Sequence, residues 1–201
     1  MKIEQRTIVD AALGILDEEG FKGLNMRRVA ERLGVQASAL YWHVRGRDEL
    51  IGLMAGSFYA RAFREAPHGE GWRAWLCGYG HAFHATLLGH RDSAHLCALA
   101  RPNVQDPEAM DRLAAPLVAA GLSRRTALSY QASVISLALG WAVYEQSPAM
   151  HAHLAEAISF DESFAIGLDA LVAGFPEPAG IGAKDALLAV SESVPPPGHT
   201  Q

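Results

Sequence analysis

The sequence NMRRVAERLGVQASALYWHVRGR, residues 25–47, decides the fold of this chain. Its apolar residues recur at helical spacing on both sides of Gly34, and Asn25 stands where a helix N-cap is expected. Glycine lets the backbone adopt a left-handed conformation where the first helix stops, and Ala30 leaves room for a second helix to cross closely. The pattern predicts a helix-turn-helix unit, an arrangement that is typical of DNA-binding proteins.

In this arrangement the N-terminal residues of the second helix reach base edges in the major groove, which is about 12 Å wide. We therefore expect Gln36, Ala37 and Ser38 to face the bases, with Trp42 against a thymine methyl. Gln36 has an amide that pairs with adenine, whereas Ala37 offers only apolar contact, so few hydrogen bonds would specify the sequence. The residues expected to contact phosphates are Asn25, Arg27, Arg28, Tyr41, His43 and Arg47.

An alternative interpretation places Tyr41 and Trp42 in the core and leaves the arginines as a solvated face. However, Leu40 and Val44 already form a buried i, i+4 stripe on the second helix, and this leaves Tyr41 and Trp42 facing outward. An exposed aromatic pair followed by a histidine indicates a surface that binds a partner.

The charge of the chain is unevenly distributed. The 201 residues carry a formal net charge of −5, yet residues 25–47 contain five arginines and one glutamate, a local net charge of +4. A polyanion is therefore attracted to this stretch and repelled by the remainder, which would orient the stretch toward phosphates.

The composition, with 50% hydrophobic and 19% charged residues, is that of an ordinary globular protein. Two cysteines are too few for a disulfide scaffold, and charged residues interrupt the first apolar segment, so we predict a cytoplasmic protein. The best apolar run, residues 132–144, is shorter than the roughly 20 residues of a membrane span and contains serines. It predicts a buried helix and no membrane contact.

Helical spacing continues along the chain without a clear run of alternating β-branched residues, so we predict an all-α protein. The architecture we expect is an N-terminal three-helix helix-turn-helix head on a larger helical core. The predicted domains are a DNA-binding domain (1–47), a connecting helix (48–66), a ligand-binding and dimerisation domain (67–176) and a mobile tail (177–201). The predicted helices span residues 7–19, 26–33, 36 or 37–44, 48–66, 72–88, 91–100, 106–120, 123–146 and 161–175, with a kink at Pro116 and a further short helix at 184–190.

Aromatic residues of the core, at helical spacing, either fill its interior or line an apolar cavity. The candidate wall residues are Trp72, Trp75, Tyr79, Phe83, Leu96 and Leu99, and the candidate polar anchors are His81, His84, His95 and Cys97. Two further interpretations use the same polar residues: a transition-metal sensor and a hydrolase. The chain has neither a HExxH pair nor a CxxC knuckle, and nothing marks a base or oxyanion donors beside Cys77 or Ser136. We predict no cofactor, no metal site and no enzyme.

The two helices at 123–146 and 161–175 carry apolar residues on more than one face. A helix in a monomer needs only one apolar stripe, so the pattern predicts that both helices form the four-helix seam of a twofold homodimer. The alternative is a helix pair buried inside a monomer core.

Three segments resemble the tetracycline-repressor (TetR) family of bacterial regulators: GLNMRRVAERLGV (23–35), ALYWHVRGRDEL (39–50) and LLGHRDSAHLCALARP (87–102). The LYWHV, HRD and RP motifs resemble the branch that contains the tetracycline repressors, and the resemblance extends through FAIGLDALVAGF (164–175). It implies an all-helical homodimer whose heads bind a palindromic double-stranded DNA operator and whose cores bind a small-molecule inducer. The implied function is a ligand-responsive repressor, with a metal-responsive regulator or a hydrolase as alternatives.

The resemblance also implies that the core contains a cavity rather than a filled interior. The residues then expected to bind the ligand are Trp75, Tyr79, Phe83, His84, His95, Cys97 and Arg101. Cys97 stands where the tetracycline repressors have a histidine that helps to hold a magnesium chelate, and Ala100 replaces a threonine beside the Arg101-Pro102 turn. Because magnesium prefers oxygen ligands and has little affinity for a thiol, we expect an inducer other than tetracycline.

Overall fold

The computed structural model describes residues 4–67, 71–100 and 108–177 of the chain, and these residues form α-helices and no strand. The predicted all-α class is confirmed. The helices are α1 (Gln5–Glu19), α2 (Met26–Leu33), α3 (Ala37–Leu40), α4 (Arg47–Glu65), α5 (Trp72–Leu88), α6 (Ser93–Leu99), α7 (Ala109–Ala119), α8 (Arg124–Gln146), α9 (Pro148–Leu154) and α10 (Phe160–Ala173). Arg101, the predicted helix start at residues 106–107 and the tail from residue 178 onward lie outside the described residues.

The head consists of α1, α2, α3 and the start of α4 around a common apolar core. Asn25 caps α2, since its Oδ1 accepts a hydrogen bond of 3.0 Å from the Arg28 N–H. Gly34 ends α2 in the left-handed region with φ 66°, and the Val35 N–H then donates to the Ala30 carbonyl at 3.0 Å. The turn and both caps that the sequence predicts are therefore present.

The third helix is shorter than predicted. It ends at Leu40 instead of Val44, and the Leu40 carbonyl accepts from both the His43 and the Val44 N–H groups at 2.9 Å. Leu40 and Val44 are nevertheless buried, so the predicted buried stripe is present although the helix is shorter.

Two further features differ from the prediction. α6 begins at Ser93 rather than residue 91, because Asp92 has φ 52° and leaves the right-handed helical region. α8 ends at Gln146 as predicted, and Pro148 is then the first residue of α9, a helix that was not predicted. Proline is tolerated there because the first N–H groups of a helix have no partner inside the helix.

α5 is the central helix of the larger body and packs against α4, α8 and α10. It approaches α8 and α10 closely at Gly80, where an added Cβ would lie 2.9 Å from Val134 and 2.8 Å from Leu168. By length and mean hydropathy α8 alone among the described helices would also qualify as a membrane span. In the structure one side of α8 contacts α5, α6, α7 and α10 and buries Gln131, whose Nε2 donates to the Leu113 carbonyl, while the other side of the helix is exposed.

Candidate functional site

The third helix of the head, α3, and the turn that follows it present an exposed polar and aromatic surface. Trp42 is 89% exposed and Tyr41 53% exposed, while Gln36, Ser38 and His43 are also exposed and Ala37 is half-buried. The aromatic pair thus faces outward, as the buried positions of Leu40 and Val44 require. We call the surface of residues 36–43 the α3 surface.

Most of the basic side chains beside the α3 surface take part in ion pairs within the head. Arg27 lies 2.8 Å from Glu31, and Arg28 and Arg32 pair with Glu19 and Glu18 of α1. These arginines remain partly exposed, so their ion pairs are weak. The arginines can therefore bind phosphates in place of the glutamates.

Arg47, a predicted phosphate contact, makes contacts within the head. Its Nε donates to the Leu24 carbonyl at 3.0 Å, its Nη2 donates to the Phe21 carbonyl at 3.3 Å, and its guanidinium lies 4.6 Å from the Phe21 ring centroid. The contacts hold the start of α4 on the turn after α1. The sequence signal that indicates such internal partners is a cation at the start of a helix, where the helix dipole disfavours it.

Three of the four predicted core aromatics form a stack along α5, whereas Trp72 stacks on Tyr130 of α8 at 5.8 Å. Trp75 and Tyr79 lie 5.2 Å apart, and Tyr79 and Phe83 lie 6.2 Å apart with nearly parallel rings. Tyr59 of α4 stacks on Phe83 at 4.8 Å and was not among the predicted residues. Its position four residues before Phe63, which contacts Trp75, is the helical spacing that would have included it.

Neutral hydrogen-bonding groups surround this aromatic stack. Burial raises the pKa of the Cys97 thiol to about 12, and burial followed by the nearby Cys97 raises the pKa of Tyr59 to about 12. Burial likewise raises the pKa of Tyr79. All three groups are therefore protonated and uncharged at neutral pH.

The predicted histidine anchors lie elsewhere. The Nε2 atom of His84 lies 2.8 Å from Glu145 Oε1, and its ring stacks on Phe164 at 3.9 Å. Burial lowers the pKa of His84 more than the adjacent Glu145 raises it. His95 is exposed and contacts Phe21 of the head at 4.9 Å, so it is not joined to the aromatic stack; Leu99 is exposed as well.

The exposed sides of α8 and α10 carry apolar residues among polar ones, and we call the surface of Gly140, Val143, Ile166 and Gly167 the α8/α10 outer face. Ile166 is 67% exposed and Val143 48% exposed, and Gly140 and Gly167 face open space. A groove of about 380 Å³ between α6 and α8 borders it, lined in part by Ala98, Gly140 and Val143. Exposed apolar surface of this kind is typical of a subunit interface.

Two family models match successive parts of the chain. The model described as bacterial regulatory proteins of the tetR family matches residues 8–54, and that described as the tetracyclin repressor-like C-terminal domain matches residues 66–157. The chain belongs to the TetR family. The first match covers the head and the second begins at the end of α4, so the predicted family is confirmed in both parts.

Known TetR-family proteins resemble the chain over most of its length. The class A tetracycline repressor protein from transposon 1721 of Escherichia coli is 34% identical over 148 residues, 73% of this chain and 68% of the relative. A TetR variant from Acinetobacter baumannii AYE, solved in complex with minocycline, matches with a TM-score of 0.72 and 33% identity, covering 87% of this chain and 97% of that one. BioQ, solved with its natural double-stranded DNA operator, matches with a TM-score of 0.64 and 31% identity, covering 86% of this chain and 98% of that one.

Proposed function

We propose that this TetR-family chain is a ligand-responsive transcriptional repressor that binds a palindromic DNA operator as a homodimer and is released by a small-molecule inducer. The observation that carries the proposal is the α3 surface, where Trp42 is 89% exposed beside the buried anchors Leu40 and Val44. A tryptophan that is exposed on a helix-turn-helix unit is better explained by contact with nucleic acid than by exposure to solvent alone. The operator-bound structure of BioQ supports the same use of the head.

The residues assigned to base edges are Gln36, Ala37 and Ser38, with Trp42 beside them. Phosphate contacts are assigned to the exposed residues around them: Asn25, Arg27, Arg28, Tyr41 and His43. Arg47 acts differently, because its three contacts with Phe21 and Leu24 keep the head on α4. Residues 1–47 then form the DNA-binding domain, 48–66 the connecting helix and 67–176 the ligand-binding and dimerisation domain.

The dimer forms through the α8/α10 outer face. Ile166 and Val143 would lie against a second copy, and Gly140 and Gly167 would let the helices approach closely. Twofold symmetry then presents two copies of the α3 surface to half-sites about 34 Å apart, one turn of DNA.

The inducer site lies around the aromatic stack of Trp75, Tyr79 and Phe83, with Cys97 beside it. The related A. baumannii variant was solved in complex with minocycline, which supports a small-molecule response of this chain. Ligand binding would favour one of two positions of α4 and so alter the separation of the heads. No group of His, Cys, Asp and Glu side chains in the described part of the chain is suited to a metal ion, so a small-molecule response is favoured over a metal response. The chain acts in the cytoplasm as a regulator and not as an enzyme.

DNA binding by head variants tests this proposal. Fluorescence anisotropy with DNA recovered by in vitro selection should show weaker binding for Trp42→Ala and Gln36→Ala, each by about 1–3 kcal/mol. Met110→Ala, which removes an exposed side chain from α7, is the control and should bind like the parent. Parent-like binding by both head variants would overturn the assignment of the α3 surface.

A further inference from the structure

Arg45 lies in the turn between α3 and α4, close to the α3 surface. Val44 before it is only 1% exposed, whereas His43 and Arg45 on either side are exposed. Because the Val44 side chain is buried in the head, its two neighbours along the chain face solvent. The turn thus extends the α3 surface, which ends at His43, by one cationic side chain.

The backbone of this turn is held by hydrogen bonds on both sides of Val44. The Arg45 N–H donates to the Glu49 carboxylate, and the Gln5 Nε2 donates to the His43 carbonyl at 3.5 Å. A partner that binds the Arg45 guanidinium therefore has to order only the side chain and not the main chain. Pre-organisation of this kind lowers the entropic cost of binding.

The other arginines of residues 25–47 already have partners inside the head. Three of them form ion pairs with glutamates and the fourth donates to two backbone carbonyls: Arg27, Arg28, Arg32 and Arg47. Within the part of the chain that the structure describes, the Arg45 guanidinium has neither an ion pair nor a hydrogen bond. An anion that binds Arg45 therefore displaces no contact of the folded head.

The ion pairs also change the charge of the head. Glu18 and Glu19, the partners of Arg32 and Arg28, belong to α1 and lower the local net charge from +4 to +2. The attraction of a polyanion therefore depends more on each unpaired cation than residues 25–47 alone indicate. A phosphate must compete with a carboxylate for the paired arginines but not for Arg45.

We propose that Arg45 binds a backbone phosphate beside each DNA half-site and supplies the contact that the sequence assigns to Arg47. This inference rests on the proposed DNA binding and adds a residue and a turn to the DNA-binding surface. The planar guanidinium offers paired N–H donors that match the oxygens of a phosphate. Because every nucleotide carries the same phosphate, Arg45 adds affinity and orientation but no base preference.

The salt dependence of DNA binding by the full chain tests the inference. Fluorescence anisotropy is measured between about 50 and 200 mM sodium chloride, with the palindrome recovered by in vitro selection and with a scrambled duplex. Loss of one phosphate contact from each of two heads should reduce the slope of log K against log salt by about 2. We expect Arg45→Ala to weaken binding to both duplexes by a similar factor, about tenfold at the lower salt concentration.

Three measurements separate a phosphate contact from other effects. Arg45→Lys keeps the charge and should retain most of the slope. Arg61→Ala is the matched control, because it removes an exposed arginine of α4 whose Nε donates to Glu65 at 2.8 Å, and it should keep the slope of the parent. Arg45→Ala should unfold in urea like the parent, because the Arg45 side chain has no partner among the described residues.

An unchanged slope for Arg45→Ala would overturn the inference. A loss that affects the selected palindrome alone would overturn it as well, because it would assign a base contact to Arg45. An equal change of slope for Arg61→Ala would indicate an effect of total charge, and a folded Arg47→Ala that alone lowers the slope would return the contact to Arg47. A parent chain that binds no selected DNA contradicts the proposed function and this inference together, whereas a parent that binds it and an Arg45→Ala of equal slope contradict only the inference.

Discussion

Asp92 accepts a hydrogen bond of 2.8 Å from the backbone N–H of Phe21 through its Oδ2 atom, and this joins the loop before α6 to the turn after α1. A second contact lies beside it, since Asp17 accepts from the Arg91 N–H at 3.1 Å and lies 3.0 Å from His90 Nδ1. Backbone N–H groups of both the head and the larger body thus donate hydrogen bonds across their contact. The helix that follows Asp92, α6, also carries Cys97 of the proposed ligand site.

Asp92→Ala should therefore destabilise the protein. The substitution removes the acceptor of the Phe21 N–H. It also places alanine at a φ of 52°, a left-handed conformation that Asp and Asn adopt more readily than alanine because their polar side chains form local hydrogen bonds. We expect a loss of about 1–3 kcal/mol in urea unfolding. Asp92→Asn keeps an acceptor and tolerates the left-handed region, so it should lose less than half as much; equal losses for both variants would contradict the role of the hydrogen bond.

Arg47→Ala should also destabilise the fold, because two backbone carbonyls lose a charged donor and Phe21 loses its cation–π contact. The expected loss is about 1.5–3 kcal/mol by thermal or urea unfolding. Arg61→Ala, which removes an exposed arginine paired with Glu65 at 2.8 Å, is the control and should cost under about 1 kcal/mol. A stable Arg47→Ala that binds DNA poorly would instead assign Arg47 to phosphate contact.

The stability of the protein should depend on pH through His84. Burial lowers the pKa of His84 in the folded state, so the unfolded chain binds more protons as the pH falls below 6.5. The contribution of His84 to the free energy of unfolding is therefore present above pH 6.5 and is lost progressively below it. Between pH 7.5 and 5.5 the free energy of unfolding in urea should fall less for His84→Gln than for the parent. The control is His153→Gln, at an exposed position of α9, and its free energy of unfolding should fall as much as that of the parent. Identical pH profiles for His84→Gln and the parent would contradict this account.

Ile166→Glu should disrupt the proposed dimer. The side chain is 67% exposed on the α8/α10 outer face, and a carboxylate there would be buried without a partner on dimerisation. Light scattering after size exclusion should show a shift toward monomer at micromolar concentration. Val118→Glu, at a 43% exposed position on α7, should leave the mass unchanged, and a monomeric parent would contradict the interface itself.

The head was predictable from the sequence because its signals are local. Three features illustrate this: Asn25 as a cap, Gly34 as a left-handed stop and the outward Trp42. Each of them follows from that residue and its neighbours within four positions along the chain. The end of α3 at Leu40 could not be predicted from apolar spacing, because Val44 is buried at the next position of the same stripe although the helix has ended.

The core was predictable only in outline. The spacing of Trp75, Tyr79 and Phe83 indicated one face of α5, but spacing gives no information on which helix covers that face. Hence His84 and His95 were grouped with the aromatic residues although they contact Glu145 and Phe21. The ring of Tyr59 belongs to α4, and its contact with Phe83 of α5 is a property of the tertiary packing.

In vitro selection by the full chain from a random double-stranded DNA library tests the central claim most directly. The account predicts enrichment of a palindrome whose half-sites are centred about 34 Å apart, roughly 10 base pairs, with adenine recurring where Gln36 contacts the half-site. Selection with Trp42→Ala should recover the same palindrome less efficiently. Failure of the parent chain to enrich any symmetric sequence would contradict the account.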